Sequence, residues 1–205
     1  MRGDQGGASP MYLLLLTAGL AYLLGSVSFG LLMAKLFRLG DLRSIGSGNI
    51  GATNVLRTGH KPAALLTLLG DAGKGAAAVL LARWLVGEDA AGIAALFAMA
   101  GHLWSCFGGF RGGKGVATFL GTLIALNWPM GLLACATWLA VALALRMSSL
   151  SALVAAVAAP IYALVFQHWH VAAVVAVMSV LIFIKHAENI RRILDGTEPR
   201  IGAKK

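Results

Sequence analysis

The sequence predicts an all-α, polytopic membrane helix bundle of about seven spans, with the N-terminus outside and the C-terminus cytoplasmic. Three observations predict it. Of the 205 residues, 59% are hydrophobic and 12% charged, with a mean hydropathy of +0.80, whereas a soluble domain carries about 25% charged residues. The apolar residues gather in long runs of the kind that cross about 30 Å of hydrocarbon. The segments between those runs are basic on alternate sides only. In lipid such runs form helices, because the chain must satisfy its own N–H and C=O groups. A single integral membrane domain over 1–205 is expected.

In chain order, spans are expected near 11–36, 62–86, 90–107, 117–127, 130–146, 150–166 and 170–187. The first is too long for the apolar region of a signal peptide, is preceded by Arg2 alone, and is followed by no small-x-small cleavage site. It reads as a span. The inner segments then carry Lys35, Arg38, Arg43, Arg57, Lys61, Arg111, Lys114, Arg146, Lys185, Arg191, Arg192, Arg200, Lys204 and Lys205. The outer segments carry Arg2 with Asp4, Glu88 and Asp89, and the outer turns at 87–90, 127–130 and 167–170 hold no Lys or Arg. Retention of basic residues inside sets this orientation and supports the count of seven, since one span more or fewer would mix the two sets. Arg83, near the outer end of the second span, can snorkel outward.

The net charge of +9 follows from the same retention. No basic run of the nucleic-acid type appears, and no nucleic-acid partner is expected. Cys106 and Cys135 provide no framework and read as small buried hydrophobes. Polar residues concentrate in the inner segments 37–61, 108–118, 146–151 and 185–192, which makes that side the working face.

The first of these reads Gly46-Ser47-Gly48-Asn49-Ile50-Gly51-Ala52-Thr53-Asn54, with Arg57 beyond. Its glycines permit positive φ, so that successive N–H groups can converge on one anion. Ser47, Thr53 and Asn54 add neutral donors, and Arg57 a fork suited to phosphate. The plainer reading is a flexible loop. Residues 46–51 fit GxGxxG, but a dinucleotide fingerprint must follow a strand within a βαβ unit, and no such unit is expected here.

The second reads Gly108-Gly109-Phe110-Arg111-Gly112-Gly113-Lys114-Gly115-Val116-Ala117-Thr118. It fits GxxxxGK, yet Gly115 stands where a P-loop has the hydroxyl for Mg²⁺. What remains is a loosened backbone, two cations and the positive end of a following helix, which together suit an anion. The plainer reading is a turn whose charges set topology.

Asp71 and Lys74 lie three apart in the second span, so they can share a face and pair. Ionisable residues in a span are usually functional or paired, and both readings stand. The flanking Gly70, Gly73 and Gly75 raise the prospect of a broken helix. At the end of the last span, His186 and Asn189 share a face, and His186 is a candidate general base or phosphate donor. Arg146, Ser148, Ser149 and Ser151 add donors at the turn between spans five and six. His168 and His170 lie in an outer turn, and His102 sits inside span three with no carboxylate expected near it. No metal-ligand spacing is present, and neither HxxxxD nor GxSxG occurs. No cofactor is expected.

Taken together, GSxxFG at 25–30, GSGNIGATNVLR at 46–57, DxxKG at 71–75, GHxxxxFxxFRGGKGVAT at 101–118 and HxEN at 186–189 resemble the bacterial membrane glycerol-3-phosphate acyltransferases of the PlsY type. The resemblance covers nearly the whole chain. It departs at Ser105, where proline is expected, and at Arg111, where lysine is expected. It implies a multi-pass protein of the bacterial cytoplasmic membrane, with its site facing the cytoplasm. The implied reaction moves a fatty acyl group from acyl phosphate to the 1-hydroxyl of glycerol 3-phosphate, giving lysophosphatidic acid. By that resemblance His186, Asn189 and Ser149 are the catalytic candidates. Ser47, Gly48, Asn49, Thr53, Asn54, Arg57, Arg111, Gly112, Gly113, Lys114 and Gly115 are the phosphate-binding ones, and Asp71, Lys74 and Glu188 support them. The base is either His186 or the substrate's own phosphate. Two other readings compete: a transporter for a phosphorylated metabolite, favoured by the Asp71/Lys74 pair and a glycine-broken second span, and a Mg²⁺-dependent headgroup transferase, disfavoured by scattered carboxylates.

Overall fold

A computed structural model describes residues 10–166 and 168–202. Arg2, Asp4, Lys204 and Lys205, which entered the charge asymmetry, lie outside the described residues, as does Gln167. All described secondary structure is helical: α1 (Met11–Ser26), α2 (Phe29–Leu36), α3 (Ala52–Leu56), α4 (Lys61–Leu85), α5 (Glu88–Leu103), α6 (Val116–Leu126), α7 (Trp128–Leu145), α8 (Ser148–Val165), α9 (Trp169–Lys185) and α10 (Ala187–Leu194). Five segments are long and apolar enough to cross a membrane: Met11–Leu36, Lys61–Leu85, Glu88–Gly108, Trp128–Leu145 and Ser148–Val165. The pair α9 and α10 makes a sixth if its 62° bend is counted within one span.

Each expected span has a helix in its place, but they are not alike. The segment expected at 117–127 is α6, an 11-residue helix about 16 Å long at 1.5 Å per residue. That is roughly half of the hydrocarbon thickness. The α4 helix runs unbroken through Gly70, Gly73 and Gly75. The break falls instead in the first span, at Val27 and Ser28, where Ser28 Oγ accepts from Leu31 N at 3.4 Å and starts α2. Breaking a helix strands carbonyls, and that of Val27 accepts from Lys74 Nζ at 2.6 Å.

Packing is turned outward-in relative to a soluble protein. Leu15, Leu20, Leu69, Leu81 and Leu132 are exposed, whereas Ala21, Ala78, Ala90, Ala94 and Ala98 form a buried seam. Lipid accepts large aliphatic side chains as readily as a protein core does, so close backbone approach between small residues holds such helices together. At the crossing of α1 and α5, a Cβ on Gly25 would lie 2.0 Å from the Ala98 carbonyl oxygen, and one on Gly101 2.1 Å from that of Tyr22. A second core, around Met99, Phe119, Leu123, Met130 and Met178, joins α5 and α6 to the later helices. Because α6 packs along the second half of α4, its first turn meets α4 at Asp71 and Gly75 and not at its end. Asp71 lies about 15 Å along α4 from Lys61. The glycine loop ahead of α6 is therefore sunk well into the bundle.

Candidate active site

One cavity of about 600 Å³ opens where the four polar segments meet. Ser47, Asn49, Thr53, Asn54, Arg57, Lys114, Gly115, Ser149, His186 and Asn189 line its polar end. Leu65, Leu68, Leu120, Ile124 and Trp138 line an apolar groove that continues from it between α4, α6 and α7.

Residue 54 builds the first wall. Buried Asn54 donates to the Leu42 carbonyl at 2.8 Å, and its Oδ1 accepts from Ser47 N at 3.2 Å and Arg57 Nη1 at 3.3 Å. The short helix α3 thus holds Arg57 against the loop that precedes it. Gly46 has φ +55, and a Cβ there would strike Asn54 Oδ1 at 2.5 Å. Thr53 Oγ1 lies 3.1 Å from Ser148 Oγ, tying this wall to the start of α8. On the facing wall, Lys114 donates to Asn189 Oδ1. His186 sits at the bend between α9 and α10, with Nδ1 2.8 Å from the Ile182 carbonyl. A carbonyl only accepts, so Nδ1 carries the proton and Nε2 keeps a free lone pair.

The electrostatics follow from burial among like charges. Burial, together with Arg192 and Arg57 nearby, lowers Lys114 to about 8. His186, which is 2% exposed, lines the same space. Arg57 is lowered for the same reasons, though Glu198 opposes the effect. Cations crowded into a space that penalises them define a site waiting for negative charge.

Sequence reasoning missed two members. Glu198, in the segment after α10, has a side chain only 5% exposed. Its Oε1 accepts from Ser149 Oγ and Asn189 Nδ2, both at 2.6 Å, and its Oε2 from Arg192 Nε at 2.8 Å. Burial alone would raise this carboxyl, but those three bonds outweigh it and hold it below its ordinary value. Ile201 N donates to the Arg146 carbonyl at 2.6 Å and the Arg146 guanidinium returns a bond to Ile201 O at 2.9 Å, fastening the segment down. The only signal for it was an acidic residue, one of two with Asp195, in the charged tail after α10. The other is His102. Contrary to the sequence reading it has a carboxylate beside it, with Nδ1 3.6 Å from Asp71 Oδ1. Helices α4 and α5 are packed together, and residues far apart in sequence meet there.

Asp71 and Lys74 do pair, at 3.1 Å, and Asp71 also reaches the cavity wall. Gly48, Arg111, Gly112, Gly113 and Glu188 are not among the lining residues. Arg111 is exposed and offers its carbonyl to Arg43 at 3.3 Å, and the Glu188 side chain is 87% exposed and 4.0 Å from Arg192.

An all-helical bundle with membrane-length apolar helices, whose cavity is cationic at one end and greasy at the other, defines an integral membrane protein with a site suited to an amphiphilic anion. Comparison with known proteins narrows this. The family model for glycerol-3-phosphate acyltransferase matches residues 15–196. A glycerol-3-phosphate acyltransferase of Cereibacter sphaeroides is 62% identical over 196 residues, 96% of this chain and 93% of that one. One from Caulobacter vibrioides is 55% identical over 197 residues, 93% of this chain and 90% of that one. The crystal structure of PlsY, an integral membrane glycerol 3-phosphate acyltransferase, in its glycerol 3-phosphate form superposes with a TM-score of 0.87 at 39% identity, covering 92% of this chain and 96% of that one. Its lysophosphatidic acid form gives 0.84 at 36%, covering 92% and 95%. The chain belongs to the glycerol-3-phosphate acyltransferase family.

Proposed function

We propose that the protein transfers a fatty acyl group from acyl phosphate to the 1-hydroxyl of glycerol 3-phosphate, releasing lysophosphatidic acid and inorganic phosphate. The observation that carries this reading is the joined cavity, in which Arg57 and Lys114 face one space that continues into a groove of Leu65, Leu68, Leu120 and Ile124. Both reactants bear phosphate and one bears a long chain, so a two-ended site suits them.

Arg57 and Lys114, with Ser47, Asn49, Thr53, Ser149 and Asn189, hold the two phosphate groups. Gly48, Arg111, Gly112, Gly113 and Gly115 shape the two loops around them. The 1-hydroxyl oxygen forms a bond to the acyl carbonyl carbon, and the bond from that carbon to the phosphate oxygen breaks. Phosphate is a stable leaving group, so the protein's tasks are orientation and support of the carbonyl oxygen as charge builds on it. Neutral His186 offers its Nε2 lone pair to the hydroxyl proton, which then passes to a phosphate oxygen.

The placement in the cell follows the basic asymmetry. The polar end faces the cytoplasm across a bacterial inner membrane, the N-terminus lies outside, and the chain forms one domain of about seven spans, with α6 as the short one. The transporter reading drew on the Asp71/Lys74 pair and a broken second span; the pair is present, but α4 is continuous and the second support is gone.

The decisive experiment offers the purified protein labelled glycerol 3-phosphate with acyl phosphate, acyl-CoA or acyl-carrier protein in turn. Lysophosphatidic acid from acyl phosphate alone is expected. Product from a thioester donor, or uptake into vesicles without any acyl transfer, would overturn the reading.

A further inference from the structure

A charged cluster lies beside the glycine loop and has no task in the transfer described above. Asp71, Lys74 and His102 are 2%, 4% and 6% exposed. Lys74 Nζ lies 3.1 Å from Asp71 Oδ1, 2.9 Å from His102 Nδ1 and 2.6 Å from the Val27 carbonyl oxygen. An ammonium only donates, so His102 Nδ1 accepts and the neutral ring carries its proton on Nε2. That edge of the ring faces the loop. A Cβ on Gly113 would lie 2.4 Å from Nε2, and one on Gly112 1.9 Å from the His102 carbonyl oxygen. Gly113 N donates to that same carbonyl at 3.1 Å. Beyond the loop, Thr118 Oγ1 donates to the Asp71 carbonyl at 2.8 Å. Both flanks of Lys114 are thus tied to one cluster.

Buried ion pairs give little net stability, and charged groups inside membrane helices generally serve the site. We propose that Asp71, Lys74 and His102 form a positioning unit that fixes the Gly112–Lys114 loop and so delivers Lys114 to the substrate phosphate. The inference rests on the role given to Lys114 above. Lys74, anchored by Asp71 and by the break between α1 and α2, holds the imidazole in one tautomer and one plane. The ring edge and the carbonyl of the same residue then leave the loop one way to lie. None of the three side chains needs to meet the reacting atoms.

The test is a double-mutant cycle on the purified full chain, with glycerol 3-phosphate and a long-chain acyl phosphate. His102→Asn shortens the ring while keeping an amide oxygen for Lys74. It is expected to melt within a few degrees of the native protein and to raise KM for glycerol 3-phosphate roughly five- to tenfold, with kcat little changed. Gly113→Ala alone should raise KM similarly. Together the loss should be smaller than the product of the two, because the shortened side chain gives the new methyl room. Losses that multiply, or a native KM in His102→Asn, would overturn the proposal. If Gly113→Ala does not fold, Asp71→Leu with Lys74→Met removes both buried charges at once. A native melting point with a raised KM in that variant supports a positioning role, and a native melting point with a native KM overturns it. Lys114→Ala is run alongside: undiminished transfer by that variant would defeat the site assignment itself, separately from the cluster.

Discussion

The two ends of the cavity are made in opposite ways. At the polar end, segments from five parts of the chain converge through side-chain bonds: Asn54 to Leu42, Thr53 to Ser148, Lys114 to Asn189, Ser149 to Glu198. At the apolar end, Leu65, Leu68, Leu120 and Ile124 line a groove by shape alone. The difference teaches where precision is needed. Polar atoms away from water must each find a partner, so the first region tolerates one arrangement, whereas an apolar wall answers mainly to volume. Substitutions should therefore be severe and chemically specific at one end, graded and size-dependent at the other.

The largest break in that contrast should come from Lys114→Ala or Arg57→Ala. Each is expected to lower kcat/KM by about 10³-fold, the scale on which preorganised charge acts in a dry site, while the protein still inserts and melts normally. Steady-state kinetics beside thermal melts in detergent measures both. Next is Glu198→Ala, which strips the acceptor from Ser149, Asn189 and Arg192. Leaving such donors unpaired costs about 1–3 kcal/mol, and a lower melting point with weakened glycerol 3-phosphate binding is expected. The pH profile follows. Lys114 is charged below its value of about 8 and loses its proton above it, so kcat/KM should fall as pH rises through about 8, because this ratio reports the free enzyme. Lys114→Arg should move that falling limb to higher pH, since guanidinium stays charged.

At the other end, Ile124 borders both the main cavity and a second, smaller one beside Arg83 and Trp128. Ile124→Trp should shift preference toward shorter acyl phosphates, by about fourfold per displaced methylene at 0.8 kcal/mol each, and Ile124→Ala toward longer ones. A series of chain lengths under competition reads this, with KM for glycerol 3-phosphate unchanged. The smallest effect is expected at the rim. Arg83 bonds Glu88 at 2.7 and 2.9 Å on an exposed surface, and Glu88→Ala should cost less than about 1 kcal/mol with no change in rate.

What the sequence revealed has the same division. Long apolar runs announce their helices without any periodicity, because lipid and neighbouring helices both accept leucine. The clustered glycines, Arg57 and Lys114 also stood out, for polar residues are rare in such a chain. The contacts that make them a site were hidden. Nothing local says that His102 meets Asp71, since α4 and α5 must pack first. Glu198 was hidden because its partners come from α8 and α10, and an acidic residue in a charged tail ordinarily reads as solvated. The glycines of α4 raised the prospect of a break there, yet Gly70 and Gly75 face close neighbours, Phe29 and Thr118, and serve packing. The polar pair at Ser26 and Ser28 marked the real one. The extent of α6 was legible, 117–127 expected against Val116–Leu126 observed, and what composition did not show is that eleven residues reach only about half of the hydrocarbon thickness.

That short α6 has one further consequence. With Thr118 in the first turn of α6 meeting α4 at Asp71, the basic chamber, in the membrane placement proposed above, is a notch cut into the flank of the bundle beside the lipid tails. Lifting a sixteen-carbon chain out of a leaflet into water would cost about 13 kcal/mol at 0.8 kcal/mol per methylene. In this geometry the small, soluble reactant descends, and the oily one never has to rise.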